Sequence, residues 1–348
     1  MQALTIRPGR PGSLAVTDVP EPGPELGAIL VEGVALGVCG TDREIAAGEH
    51  GEAPGGRDRL VLGHESLGRV LEAPEGSGWT AGDLVAGVVR RPDPVPCGAC
   101  ARGRFDMCRN GRFTERGIQG VDGFGSERWR IEPDYAVPVD ASLGSLGFLV
   151  EPTSVVAKAW EQVELVGQRS WFDPDSVLVT GAGPIGLLAA LLGVQRGLDV
   201  HVLDQVSDGP KPELVRALGA TYHAEPVDEV MATLRPEVVL EATGASSVVV
   251  DVLSGTARYG VVCLLGVSPA GRSVRIDAGG VNREFVLEND ALIGSVNANQ
   301  EHFRAAATAL AGADHDWLGR LVTRRVPFDR AAEALEPRSG DIKTVIEL

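Results

Sequence analysis

The sequence predicts an α/β protein in which a doubly wound parallel sheet is joined to a β-rich, partly open barrel-like domain. Three observations carry this expectation. The first 150 or so residues are rich in Gly and Pro and hold short β-type runs. From about Glu151 strand and helix patterns alternate. The length, 348 residues, exceeds one typical core and suits two.

In chain order, "AILVEGVAL", "RLVLGHESLGRVLEA" and "DLVAGVV" read as strands separated by turn residues. "TSVVAKAWEQVELV" has helical periodicity. The alternation that follows runs "SVLVTGAG", "PIGLLAALLGVQRG", "DVHVLD", "PELVRALGA", "VVLEATG", "SSVVVDVLSGTA" and "GVVCLLGV", the pattern of a parallel sheet with crossover helices. A helix, "QEHFRAAATALAGA", and a short tail, "IKTVIEL", close the chain, and a β tail after an α/β block predicts a return to the first domain. The expected division is 1–157 with 297–348 in the β-rich domain and 158–296 in the α/β domain. There is no internal repeat and no low-complexity segment.

Composition narrows the classes of function. The apolar fraction of 44% suits a well-buried interior, and no 18-residue apolar run suggests a membrane helix. A formal charge of −16 argues against nucleic acid and anionic membranes as partners, since both need basic patches. The N-terminal stretch lacks the apolar segment of a signal peptide, so a cytoplasmic location is expected. Lys158, Lys211 and Lys343 are the only lysines; so few beside many acids fits salt adaptation and a GC-rich genome equally well. The five cysteines read as reduced thiols, with metal binding favoured over disulfides. Cys263, inside "GVVCLLGV", reads as core packing.

"VLVTGAGPIGLLAA" sets Gly181, Gly183 and Gly186 in G-x-G-x-x-G spacing between a buried strand and an apolar helix. The glycines permit a tight turn and close approach of a pyrophosphate, which the free N–H groups of the helix start then hold. Asp204 ends the next strand run, where an acid accepts from the ribose hydroxyls of NAD and repels a 2′-phosphate. No arginine follows at once, and Lys211 is the nearest cation. NAD is therefore expected over NADP.

Cys39 in "LGVCGTDREI", His64 and Glu65 in "LVLGHESLGRV" and Glu151 in "GFLVEPTSV" together make a plausible catalytic Zn2+ set, a thiolate, an imidazole and carboxylates with a position left open. Singly, each has a plain reading: a core cysteine, a hydrogen-bonded interior histidine, a helix N-terminal acid. Spacing alone does not choose between the two.

Taken together, "GVCGTD", "GHESLGRV", "AGDLV" and "GAGPIG" resemble, in order and separation along nearly the whole chain, the zinc-dependent medium-chain dehydrogenase/reductase family. Within it, "CGTDREI", "RRP", "ERGIQGVDGFGSE", "LVEP" and "GSVNANQEHF" resemble archaeal-type glucose (aldose) 1-dehydrogenases. The resemblance implies a GroES-like catalytic domain beside a Rossmann domain. It places Cys39 and His64 at zinc-ligand positions, Glu65 at a further ligand position, and Glu151 where zinc, its water or a sugar hydroxyl is met. Thr41 stands where a hydroxyl touches the reacting oxygen, with Glu44 as a next step for the proton. Glu115 and Asn297 fall where substrate hydroxyls or the nicotinamide side are contacted, and Arg90 is a looser substrate contact. The cofactor set implied extends from the glycines and Asp204 to Pro184, Ile185, Thr243, Gly266 and Val267.

The reaction implied is oxidation of an aldose such as glucose at C1 to the lactone, the competing readings being a polyol, cyclitol or amino-sugar dehydrogenase, and a nucleotide-binding protein without chemistry. A homodimer or homotetramer is expected. One departure stands out: "CGACARGRFDMC" supplies only Cys97, Cys100 and Cys108 where the family's structural zinc lobe often has four cysteines, so Asp106 or a distant residue would have to complete that site.

Overall fold

The computed structural model describes residues 1–269, 271 and 273–348. The chain forms two compact units, Met1–Ser154 with Asn297–Leu348, and Val155–Val296. The division falls within the helix Val150–Gly167, three residues before the expected 157/158, because the run "TSVVAKAWEQVELV" is one continuous helix.

The first unit is built on a seven-stranded sheet whose middle strand, Ile29–Val38, is flanked by Glu65–Glu72 and by the C-terminal strand Lys343–Glu347. Both neighbours run antiparallel to it. Ile29, Val31, Gly33 and Ala35 are buried in alternation with more exposed neighbours, as expected of a strand with one face on the core, and from Ala35 to Val38 the strand is buried throughout. The tail therefore supplies a strand that the first 150 residues lack, next to the strand that carries Cys39 at its end.

The second unit is a six-stranded sheet, all parallel, in the order Thr221–His223, Asp199–Leu203, Ser176–Thr180, Val238–Glu241, Val261–Leu264, Ala291–Gly294. The order reverses at Ser176–Thr180, the point where doubly wound sheets bind ligands beyond their strand ends. The helix Pro184–Gln195 that follows is apolar all round and almost wholly buried, as expected of a helix enclosed within an α/β unit. Leu178, Val239, Val262, Val230 and Met231 belong to one packed cluster between sheet and helices. Cys263 is fully buried in the strand Val261–Leu264, and burial pushes its thiol up to about 12, the state of an inert core thiol. No helix among the described residues is long and apolar enough to cross a membrane.

Candidate active site

Three strand ends of the first unit converge on one group of side chains. Cys39 follows the strand Ile29–Val38 and precedes the helix Gly40–Ala47; His64 and Glu65 open the strand Glu65–Glu72; Lys343 opens the last strand. One ligand atom each from Cys39, His64 and Glu65 lies within 4.8 Å of the others. His64 and Glu65 are buried at 4% and 2% exposure, and Cys39 is half-buried. A soft thiolate, an imidazole and a carboxylate at this spacing are a donor set suited to Zn2+.

Glycine makes the approach possible. Gly37 lies directly opposite Glu65 in the sheet, and a Cβ there would sit 1.9 Å from Glu65 Oε2 and 2.7 Å from the Phe148 ring. Any side chain at 37 would expel the carboxylate from its place.

Two residues that sequence reasoning passed over complete the group. Asp42, one turn into the helix, accepts from the Cys39 N–H at 2.8 Å and stands 3.4 Å from His64 Nδ1. It orients the ring so that Nε2 remains for a metal, the carboxylate–histidine arrangement of many zinc sites. Burial acts against a charged His64 ring, but Asp42 and then Cys39 outweigh it and hold its basicity well above the ordinary range. The signal was present, since an acid three residues after a helix cap is a capping pattern. Lys343, 3% exposed, pairs its ammonium with both oxygens of Glu65 and donates to the Val38 carbonyl at 3.1 Å. Nothing in "DIKTVIEL" announces this, because the partner lies 278 residues away.

Glu151 lies outside the tight three-atom set. Burial raises its carboxyl to about 7, with His64 and Lys343 acting to lower it and Glu65 and Asp42 to raise it. Thr41 is half-buried in the first helical turn, and Glu44, one turn on, is exposed. These two therefore run from the metal-ligand end of the helix toward water.

Glu115 is buried at 8% exposure, directly opposite Arg90 across the strands Arg90–Arg91 and Thr114–Arg116. Its Oε1 accepts from Arg90 Nε at 3.1 Å and Nη2 at 3.0 Å, and from Asn297 Nδ2. Arg90 also donates to the Asp106 carbonyl at 3.0 Å and lies 3.7 Å above the Phe113 ring. Its guanidinium is thus spent on fixing Glu115, while no protein donor among the described residues reaches Glu115 Oε2. Asn297 holds a left-handed backbone, φ 64°, a conformation that among non-glycine residues asparagine tolerates best.

Asp106 does not complete the cysteine lobe: its Oδ1 accepts from Asn299 Nδ2 at 2.9 Å. The Cys97, Cys100 and Cys108 sulfurs come together, and no fourth His, Cys, Asp or Glu ligand joins them among the described residues. The lobe is held by Arg109 N–H to Cys97 Sγ at 3.4 Å and by Asp93, which takes Asn110 and Arg112.

In the second unit the turn after Ser176–Thr180 has the geometry of a phosphate cradle. Gly181 has φ 90°, and a Cβ on Gly186 would lie 1.7 Å from the Gly181 carbonyl oxygen, so the third glycine is what lets the helix start against the strand. Gly183 caps the helix Pro184–Gln195 without any side-chain hydrogen bond, and a Cβ there would meet open space. Orphan N–H groups, a helix N-terminus and a clear approach are what an anionic pyrophosphate needs, and Pro184 and Ile185 form the first turn beneath it. Asp204 Oδ2 accepts from the Ala182 N–H at 2.7 Å and from Lys211 Nζ at 2.9 Å. Burial works against that carboxylate, but Lys211 and the Ala182 N–H outweigh it and hold its carboxyl below the usual range. Thr243 is tied to the fully buried Glu241; Gly266 has no room for a side chain against the Gly244 backbone; Val267 is 82% exposed.

Residues 144–348 match the family described as glucose dehydrogenase C-terminus, and residues 25–141 match the alcohol dehydrogenase GroES-like domain. Over its whole length the chain is 38% identical to a glucose 1-dehydrogenase of Methanocella arvoryzae, covering 99% of that protein. It is 40% identical to the glucose 1-dehydrogenase of Halobacterium salinarum, over 95% of both chains. The glucose dehydrogenase of Haloferax mediterranei, solved in complex with NADP, Zn and gluconolactone, superposes with a TM-score of 0.91 at 36% identity, covering 100% of this chain and 99% of that one.

Proposed function

The chain belongs to the zinc-dependent medium-chain dehydrogenase/reductase family, in its glucose dehydrogenase branch, and on that premise we propose that it oxidises an aldose such as glucose at C1 to the lactone with a nicotinamide dinucleotide. The observation that carries this reading is the thiolate–imidazole–carboxylate set of Cys39, His64 and Glu65. Zinc held by Cys39 and His64, with Glu65 and Glu151 contributing, supplies Lewis acidity toward the C1 hydroxyl, and the dinucleotide supplies the hydride acceptor.

The remaining work falls to the chain's own groups. Thr41 Oγ1 takes the hydroxyl proton and passes it toward water beside Glu44, so that the cyclic hemiacetal loses one hydride and one proton to become the lactone. Glu115, its Oε1 fixed by Arg90 and Asn297, offers Oε2 to a sugar hydroxyl. A carboxylate held by other donors cannot turn away, and this rigidity makes it selective for a hydroxyl at one position. Arg90 acts here through Glu115, as a positioning residue.

For the dinucleotide, Gly181, Gly183 and Gly186 cradle the pyrophosphate and Asp204 faces the adenosine ribose, which favours NAD over NADP. Lys211 takes Asp204 Oδ2 and leaves Oδ1, whose nearest donor is the Val206 N–H at 3.3 Å, as the oxygen for a ribose hydroxyl.

A panel of aldoses, sugar alcohols and cyclitols, each with NAD and NADP on zinc-loaded protein, tests the reading. Aldoses turn over with the largest kcat/KM and NAD exceeds NADP; a cyclitol leading the panel would overturn the substrate class, and NADP leading would move the selecting role from Asp204 to Lys211. Cys39→Ser loses zinc in metal analysis, since an alcohol is a poor zinc ligand beside a thiolate. Full zinc and full activity in that variant would remove Cys39 from the site.

A further inference from the structure

Outside these sites, the open edge of the parallel sheet carries a second group of metal-ligating side chains. His201, on the strand Asp199–Leu203, and His223, ending the edge strand Thr221–His223, stack with ring centroids 5.1 Å apart, and His201 Nδ1 stands 2.8 Å from His223 Nε2. Each ring has a carboxylate at its other nitrogen: Asp199 Oδ2 is 3.2 Å from His201 Nε2, and Glu225 Oε2 is 3.6 Å from His223 Nδ1.

Asp199 accepts from His201 Nε2, which leaves His201 Nδ1 as the acceptor of the 2.8 Å hydrogen bond from His223 Nε2. An ion bound between the two inner nitrogens takes the place of that one proton, since metal ligands must be deprotonated. A carboxylate–histidine pair on each side is also the support that imidazole ligands of metals receive. The pair opens on a pocket of about 400 Å³ lined by both rings, Glu225, and Glu229 and Thr233 of the helix Val227–Leu234, which gives an ion further oxygen donors and a path from solvent.

We propose that His201 and His223 form a transition-metal site of the second unit, separate from the Cys39–His64 set, that takes an imidazole-preferring divalent ion such as Zn2+ or Ni2+ through His201 Nδ1 and His223 Nε2. Bonds of about 2.0–2.1 Å in a tetrahedral site set the two nitrogens about 3.3 Å apart, so the rings open by roughly 0.5 Å on binding. Water in the pocket, beside Glu229 and Thr233, fills the remaining positions. The site adjoins the dinucleotide turn, because the His223 carbonyl accepts from the Asp204 N–H at 3.1 Å.

The test uses full-length, zinc-loaded, untagged protein with 15N-labelled histidine, titrated with additional Zn2+ while the imidazole nitrogens are followed by NMR and the uptake by calorimetry. The expected result is one further equivalent that shifts His201 Nδ1 and His223 Nε2. His201→Gln and His223→Gln each abolish that uptake and leave glucose turnover unchanged. Asp199→Asn and Glu225→Gln, which retain both ligands and test the site should a histidine variant fold poorly, weaken it roughly 10- to 100-fold. Unmoved ring nitrogens on titration, or uptake of equal affinity in all four variants, would overturn the proposal.

Discussion

Lys343→Met removes one partner of a buried ion pair that the fold closes across 278 residues. Lys343 and Glu65 are 3% and 2% exposed and paired through both carboxylate oxygens. Burial alone pushes the ammonium down, but Glu65, then Cys39 and Glu151, outweigh it and raise it above the ordinary lysine value. A cation raised on folding contributes stability that is complete below its unfolded value of about 10.4 and is lost only as pH climbs through the folded one, so an assay at pH 7.5 reads the pair in full. Removing the lysine leaves a buried carboxylate without its partner, a loss of about 3–5 kcal/mol. In a unit of this size each kcal/mol moves Tm by about 2–4 °C, so metal-free Lys343→Met melts about 6–20 °C below the parent. Lys343→Met/Glu65→Leu, with both charges gone, recovers most of that loss. Returning Zn2+ to the single variant also shrinks it, because the ion gives Glu65 another cation. Calorimetric melts of EDTA-treated protein make the comparison. A single variant within 2 °C of the parent, or a double variant that loses the sum of both singles, would show that the pair contributes nothing to stability and would refute this reasoning.

Three further outcomes can be checked independently. Glu115→Ala lowers kcat/KM for an aldose by about 1–3 kcal/mol, roughly 5- to 150-fold, as expected for one buried polar partner left unmet, while metal analysis and NAD titration give parental values. Gly186→Ala abolishes dinucleotide binding in calorimetry without changing zinc content, since its Cβ would lie 1.7 Å from the Gly181 oxygen in the other unit from the metal group. Asp204, its carboxyl held low on folding, contributes stability that is complete above its unfolded value of about 3.9 and is lost as pH falls through the folded one; Asp204→Asn therefore removes part of the acid-side loss below about pH 4 in melts taken across that range.

The sequence by itself determined the elements whose information is local. The parallel sheet follows from alternating apolar strand and helix runs, and the cradle from three glycines at fixed offsets between a strand and a buried helix. Cys39, His64 and Glu65 were readable as candidates by residue type, and Asp42 was readable as a helix-capping acid. Only the tertiary structure decided what these residues do to one another. Lys343 meets Glu65 across 278 residues because the tail strand pairs beside Ile29–Val38, and no local pattern encodes that neighbour. Glu115 was a substrate contact by resemblance alone; the register sets it opposite Arg90, and the returning chain brings Asn297 to it. Asp106, the one nearby candidate for completing the cysteine lobe, turns instead to Asn299. The physical reason is the same in each case: a periodic pattern specifies which face of an element is buried, but a buried charge is specified by its partner, and partners are chosen by register and chain crossing, which only the folded chain possesses.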